Sequence, residues 1–581
     1  MQTPWYQAVP LVMDQVELLQ PASILEIGVG LGKYGLMFRD VLEPGWPHSS
    51  RRHVTIEGIE LGNCEPPYEG AYDRVWDPPS RVAGPHLSEP GSDSQTAERI
   101  MALLRGLPVY DFVFVDGVLE ILTKAEGLEL VRCLLEHAKH GLMVTLLLDP
   151  SPQVAKFLAH PVSDATGTRW SAIDFVDFDF SWRMVPGRKS AIEVLSFFPP
   201  QRVRAAAGAR TRGKMPRPLG DGKEVPASGT GVGRFPLTIA YLMPHKYVTG
   251  GLRMLLEQIR FLRRKGHTVV ALGKDDRSGK VLPGWTDVEA DREIVVPANQ
   301  SFANYVGGCD VVVAGWCEQL VELAGSPVPV VYWEQGHEVL FGQVDDLFHD
   351  SLMRRRFARC YEPPCYLAAT SDVVARALLA RYGREAHVIP PGIDTELFHP
   401  GNRRGPGTVL LVGNPLLPFK GFDVALRVLS KVWDSGVRFR VKWVCQSAPR
   451  LGVSAEYPLE FILNPSQEGL AEAYRSSNVF LFTSWYEGFG LPPLEAMASG
   501  TPVVTTACGG VDSYVSPGEN ALVADPGDVD SLAYAVAYLL KNPEVCEHLA
   551  TNGRRTALRF DIKQSVEEFE RFLARAVGCQ G

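Results

Sequence analysis

Glu487 to Thr506 reads EGFGLPPLEAMASGTPVVTT, and the fold is decided there. The residues before it, NVFLFTS (Asn478 to Ser484), are a short apolar run of strand length. Gly488 and Gly490 break that run, Pro492 and Pro493 open a helix, and TPVVTT returns to strand character. Strand, glycine loop, helix and strand in succession are the unit of a parallel sheet covered on both faces. Two carboxylates, Glu487 and Glu495, flank the loop. Backbone N–H groups at a helix N-terminus suit an anionic or hydroxyl-rich ligand.

Working outward, the same alternation recurs along the whole chain. ASILEIG, HVTIEGIE and YDFVFVDG lie in the first third, then PLTIAYL, HTVVALG, DVVVAG and PVPVVYW, and last GTVLLVG, FRVKWV and NVFLFTS. Each is a continuous apolar run bounded by glycine or charge, so the chain is expected to be α/β throughout, with ligands at the carboxyl ends of strands. One stretch breaks the pattern. Residues 199–235 are rich in Gly, Pro, Ala and Arg and poor in large apolar side chains. Too little surface can be buried there to offset ordering entropy, so a linker is expected. The Gly229-to-Gly233 run inside it follows no strand and reads as spacer.

Length and composition bound the rest. At ~150 residues per domain, 581 residues imply three to four domains. A 45% hydrophobic and 22% charged composition is that of a globular protein. The net charge of −9 argues against nucleic acid as a partner. The ten cysteines form no C-x2-C pair, so reduced thiols are expected. No apolar run reaches the ~20 residues that span a bilayer, and the start lacks the pattern of a secretory signal, so a cytoplasmic location is expected.

The Glu487–Glu495 stretch carries the E-x7-E signature and resembles the retaining, nucleotide-sugar-dependent glycosyltransferases of the GT-B fold, family 4 (glycosyl transferases group 1). Other landmarks of that family fall in order: Gly250-Gly251, Pro391-Gly392-Ile393-Asp394, and the strand GTVLLVG ending at Gly413 and followed by Lys420-Gly421. The resemblance implies two Rossmann-like lobes, an acceptor lobe over 236–395 and a donor lobe over 396–581. It implies a nucleotide-diphosphate sugar held by Gly250, Gly251, Gly413, Lys420, Glu487, Gly488, Phe489, Gly490 and Glu495, without bound metal. Glu487 is then expected on the donor sugar, Glu495 on the ribose, Lys420 on the leaving diphosphate and His337 beside the reacting carbon. A glycan or lipid-linked molecule is the expected acceptor. One departure stands out: Asn414 follows Gly413 where the family has an arginine, with Arg450 a substitute. The basic clusters Arg260/Arg263/Arg264/Lys265 and Arg354/Arg355/Arg356 read as solvated helix faces, with contact at the inner membrane surface as the alternative.

The front stretch, Ser23 to Gly35, is strand, glycine turn and helix start. Glu26-Ile27-Gly28-Val29-Gly30-Leu31-Gly32 resembles the first motif of class I S-adenosylmethionine-dependent methyltransferases. That resemblance covers roughly residues 1–198 and implies a bifunctional enzyme with Glu26, Gly28, Gly30, Gly32, Glu60 and Asp116 around the cofactor. Two other readings compete: a non-catalytic scaffold, and a nicotinamide-binding domain, since Gly30, Gly32 and Gly35 also spell G-x-G-x-x-G. In the latter, Glu26 has no role and Glu60 lies too far along. A proton acceptor is not singled out among His53, His137 and His140, and Asp177-Phe178-Asp179 spells a D-x-D that would share one face of a strand.

Overall fold

The computed structural model describes residues 12–13, 16, 19–29, 33–42, 54–59, 71–76, 96–116, 118–119, 122–147, 172–175, 177–186, 191–197, 236–247, 249–275, 279–341, 351–401, 407–448 and 456–578. The chain divides into two units, Met1–Ala209 with Phe341–Ser351, and Arg210–Leu340 with Leu352–Gly581.

The first unit is one seven-stranded sheet in the order β3-β2-β1-β4-β5-β7-β6. Its strands are β1 (Ser23–Ile27), β2 (Thr55–Ile59), β3 (Arg74–Trp76), β4 (Tyr110–Asp116), β5 (Ala138–Leu147), β6 (Phe180–Pro186) and β7 (Ala191–Phe197). The helices are α1 (Lys33–Leu42), α2 (Thr96–Leu104) and α3 (Lys124–His137). β1 pairs in parallel with both β2 and β4, so Ile24, Leu25, Glu26 and Ile27 are all buried. Crossovers leave β1 in opposite directions, which puts the topological switch point between β1 and β4. β7 runs antiparallel to both its neighbours. α1 is tied to the sheet by the buried Arg39, which donates to the Val54 carbonyl at 2.7 Å and to Asp73 Oδ2 at 2.6 Å. Thr123 and Glu126 form a reciprocal cap that starts α3. The D-x-D acids do not share a strand face: Asp177 is in a turn and Asp179 precedes β6.

The second unit holds two all-parallel lobes. The first has the order β10-β9-β8-β11-β12-β13-β14. It comprises β8 (Thr238–Leu242), α4 (Gly250–Arg264), β9 (Thr268–Lys274), β10 (Arg292–Val296), β11 (Val311–Ala314), α5 (Glu318–Glu322), β12 (Val330–Glu334), α6 (Glu338–Phe341), α7 (Ser351–Cys360), β13 (Tyr366–Ala369), α8 (Asp372–Tyr382) and β14 (His387–Val388). The second has the order β17-β16-β15-β18-β19-β20. It comprises β15 (Thr408–Val412), α9 (Phe422–Asp434), β16 (Arg440–Cys445), β17 (Leu459–Leu463), α10 (Gln467–Arg475), β18 (Val479–Phe482), α11 (Leu491–Ala498), β19 (Val503–Thr506), β20 (Leu522–Ala524), α12 (Val529–Lys541) and α13 (Pro543–Ala557), with α14 (Ile562–Ala576) at the end. The expected strands are found, from PLTIAYL as β8 to TPVVTT as β19.

The boundary between the lobes differs from the expected one in one respect. Ile562, Val566, Phe569, Phe572 and Leu573 of α14 share a core with Leu237, Ile239, Val311 and Trp333 of the first lobe. The last helix therefore crosses back, because its apolar stripe completes that lobe's core. The two crossings lie side by side: Ile393 N–H donates to the Phe560 carbonyl and Ile562 N–H to the Ile393 carbonyl, both at 2.9 Å. Pro391-Gly392-Ile393 is thus one of two adjacent interlobe crossings. Among the described residues, no helix is long and apolar enough to cross a membrane.

Candidate functional site

The carboxyl ends of both parallel sheets in the second unit face each other, and the Glu487–Gly490 loop sits between them. Its backbone is threaded through a very narrow gap. A Cβ on Gly488 would lie 2.0 Å from the Gln335 carbonyl oxygen, so only glycine allows this approach. Ser371, which caps α8 in the first lobe, donates to the Gly488 carbonyl at 2.6 Å. Gln335 Nε2 also donates to the Gly251 carbonyl at 3.3 Å. The loop after β12, the first turn of α4 and the glycine loop of the second lobe therefore meet at one place.

The chemistry-bearing side chains gather there. Lys420 Nζ lies 2.7 Å from Glu487 Oε1, and Ser484 Oγ donates to the same oxygen at 2.8 Å. Lys420 is delivered by a short helical turn that ends at Gly421 with φ +64, where a Cβ would lie 2.1 Å from the Thr483 carbonyl. Trp485 N–H donates to the Phe419 carbonyl at 2.8 Å, and Phe419 stacks on Tyr486. The lysine loop and the acid loop are therefore one rigid piece.

Glu495 lies one turn into α11 and accepts from Tyr474 OH at 2.9 Å. Burial pushes its carboxyl above the usual range, and Arg253 of α4 pulls partly against that. Glu487 and Glu495 both act electrostatically on one phenol, Tyr514. Burial raises Tyr514 well above its ordinary value, and both carboxylates act on it in the same sense. Tyr514 in turn donates to the Gly490 carbonyl. Phe489 is buried against Tyr514 and Phe560, so it supports the loop from below. Gly250 comes within 4.0 Å of Leu491, as measured from an ideal Cβ. Gly413 directly follows β15 and donates to the Val444 carbonyl at 3.0 Å. Asn414 folds back to accept from Leu416 N–H at 3.0 Å, a local turn in place of a cation.

His337 follows the same loop as Gln335, yet its ring is turned inward and is 5% exposed. Nδ1 accepts from Leu340 N–H at 3.1 Å, which leaves the proton on Nε2, donated to Tyr361 OH at 2.9 Å. Tyr361 passes the chain to Glu334, which also accepts from Tyr332 OH and Gly336 N–H. Both imidazole nitrogens are engaged in a hydrogen-bond chain that holds the 335–337 loop. Arg253 was not singled out from sequence. A cation two residues past Gly250-Gly251 is its signal, but nothing local marks its partners.

At the front switch point, Glu26 is buried and accepts from Tyr72 OH at 2.7 Å. Asp116, at the tip of β4, accepts from Thr145, and burial pushes it up to about 6. Gly28 N–H donates to the Ile59 carbonyl at 3.0 Å. The Tyr34 phenol is raised by burial and by the charges of both acids. Gly30, Gly32, Glu60, His53, Arg450 and the 199–235 segment lie outside the described residues, as do the side chains of Arg354 and Arg355. His137 Nδ1 lies 3.0 Å from the Cys133 carbonyl and His140 3.6 Å from Asp111, away from this crevice. Among the described residues no His/Cys/Asp/Glu cluster has the arrangement of a metal site. The α4 cations that raised a membrane surface have carboxylate partners: Arg260 with Asp287, Arg263 with Asp291, and Lys265 with Glu570.

Residues 395–556 match the family model described as Glycosyl transferases group 1. The MMP alpha-(1->4)-mannosyltransferase of Mycolicibacterium hassiacum is 32% identical over 224 residues, which is 36% of this chain and 54% of that protein. The D-inositol 3-phosphate glycosyltransferase of Acidothermus cellulolyticus is 33% identical over 223 residues, 33% of this chain and 49% of that protein. The chain thus spans about half the length of the curated relatives it matches. Among solved structures, sucrose-phosphate synthase from Thermosynechococcus elongatus aligns with a TM-score of 0.48 at 20% identity, over 58% of this chain and 98% of that one. The matched stretch, residues 395–556, holds Lys420, Glu487 and Glu495, so the second lobe is similar to the Glycosyl transferases group 1 family.

Proposed function

We propose that the two-lobed unit is a retaining glycosyltransferase that moves a hexose from a nucleoside-diphosphate sugar to a glycan or lipid-linked acceptor. The observation that carries this reading is the Lys420–Glu487 contact of 2.7 Å, at the place where Gly488 presses against the opposite lobe. Breaking the sugar–phosphate bond leaves extra negative charge on the β-phosphate, and a fixed cation there lowers the barrier. Lys420 provides that cation, and the N-termini of α4 and α11 point positive ends into the same cleft. Glu487 then turns to the donor sugar's hydroxyls and Glu495 to the ribose. The name of one relative, a mannosyltransferase, supports a hexosyl donor. His337 acts through Tyr361 and Glu334 to hold the loop that the donor sugar meets. The test is release of UDP from UDP-glucose and GDP from GDP-mannose. The parent should release one of them, and Glu487→Gln should slow it at least a hundredfold. Equal rates in parent and variant would sink the reading.

For the front unit we infer S-adenosylmethionine as the ligand. Its sheet departs from the 3-2-1-4-5-6 order of dinucleotide-binding domains by inserting the antiparallel β7 between β5 and β6. Its switch point offers two desolvated carboxylates, Glu26 and Asp116, which suit a ligand bearing positive charge better than a pyrophosphate. These acids and Gly28 would hold the cofactor, which supplies an electrophilic methyl group when bound. A binding domain without transfer is the second reading, favoured by hydroxyl partners already on both acids, Tyr72 and Thr145. Calorimetry with S-adenosylmethionine and a labelled-methyl assay separate the two. No binding at all would remove both.

A further inference from the structure

Arg253 stands at an unfavourable place for a cation. It lies in the first turn of α4, whose N-terminal end is itself positive, and α11 begins beside it, with Leu491 close to Gly250. It faces out of its own lobe. With the Gln467 amide oriented so that its oxygen meets the guanidinium, that oxygen accepts from Arg253 Nη1 at 3.2 Å and from Nε at 3.3 Å. Gln467 starts α10 of the second lobe, so this contact spans the cleft. Glu495 and Tyr474 also feel its charge. A cation near two helix N-termini is disfavoured by each, so an anion beside it is favoured, and the Glu495 carboxylate is already there.

We propose that Arg253 is a donor-binding cation, brought across the cleft by the first lobe, that supplies beside the ribose-diphosphate the positive charge that position 414 does not. This rests on the nucleotide-sugar reading and extends it. Asn414 spends its side chain on a local turn, so it adds no positive charge beside Lys420 at that edge. A guanidinium has five N–H donors in a planar fork, and Gln467 uses two of them. The remainder suits a phosphate oxygen pair, a geometry that lysine cannot copy. Because Arg253 comes from one lobe and Lys420 from the other, a diphosphate held by both draws the lobes together.

The experiment is a titration of UDP and GDP into the full chain and its variants at several salt concentrations. The parent should bind one nucleotide, with affinity falling as ionic strength rises. Arg253→Gln should weaken that binding tenfold or more and flatten the salt dependence, while Arg253→Lys keeps the slope and loses about threefold. A purely structural arginine would lower affinity without changing the slope, and that result overturns the proposal. Undiminished binding in Arg253→Gln, with Lys420→Ala weakened, overturns this proposal while leaving the glycosyltransferase reading in place. A parent that binds neither nucleotide removes both.

Discussion

The two crevices of this chain are both set at the carboxyl ends of parallel strands, and they differ in the sign of the charge they hold ready. At the front switch point, Glu26 and Asp116 are desolvated acids with hydroxyl partners, while the buried cation of that region, Arg39, is turned away to Asp73. In the cleft of the second unit, a carboxylate is met by Lys420 from the neighbouring loop, with Arg253 on the facing lobe. The first environment favours a ligand that carries positive charge and the second one that carries negative charge. Similar doubly wound folds can therefore serve opposite ligands, and the deciding residues are a handful at the strand ends.

The contrast can be broken most severely at Arg39. Removing one partner of a buried ion pair costs about 3–5 kcal/mol, so Arg39→Ala should expose the front sheet to limited proteolysis in the full chain. An unchanged cleavage pattern would mean the pair does not hold α1 to the sheet. Next comes the cleft: Glu487→Gln should cost about 2.7–4 kcal/mol of barrier lowering, the size of one lost oxyanion-type contact, read as nucleotide release.

The sharpest test of the front acids is their pH dependence. Asp116 has its folded value raised by burial to about 6, so its protonated form is favoured in the native state. The associated stability is present below the unfolded value near 3.8 and is lost as pH climbs through about 6. Asp116→Asn, which can still accept from Thr145, should then stabilise the front unit at pH 8 on the order of 3 kcal/mol, and not at pH 4. Thermal melts at both pH values decide this, and an equal shift at both would refute desolvation as the cause. The smallest effect belongs to the α4 surface. Arg260→Ala removes a partly exposed ion pair with Asp287, which contributes about 0–1 kcal/mol, and binding to anionic vesicles should not change.

How much of this was legible in the sequence follows from where the information sits. β1, β4, β15 and β18 are buried between parallel neighbours, so each is a continuous apolar run that can be seen without context. The meeting of Lys420 with Glu487 was legible because the glycine, proline and acid pattern is contiguous on one side and the lysine-glycine turn on the other. The three-residue β3 and the antiparallel β6–β7 pair carry no such run. The return of α14 was hidden, since Val566, Phe569 and Phe572 form the same amphipathic stripe whichever core they enter. The inward turn of His337 was hidden for a related reason. Its partners, Tyr361 and Leu340, are set by tertiary packing of α6 and α7 around β12, and no spacing encodes them. Arg253 likewise gains its meaning only across the cleft.

Titration of nucleoside diphosphates against Lys420→Ala addresses the anionic character of the cleft most directly. UDP or GDP should bind the parent and bind the alanine variant at least tenfold more weakly. Equal affinity in the two proteins would contradict it, because the amine that faces Glu487 would then have no diphosphate to neutralise.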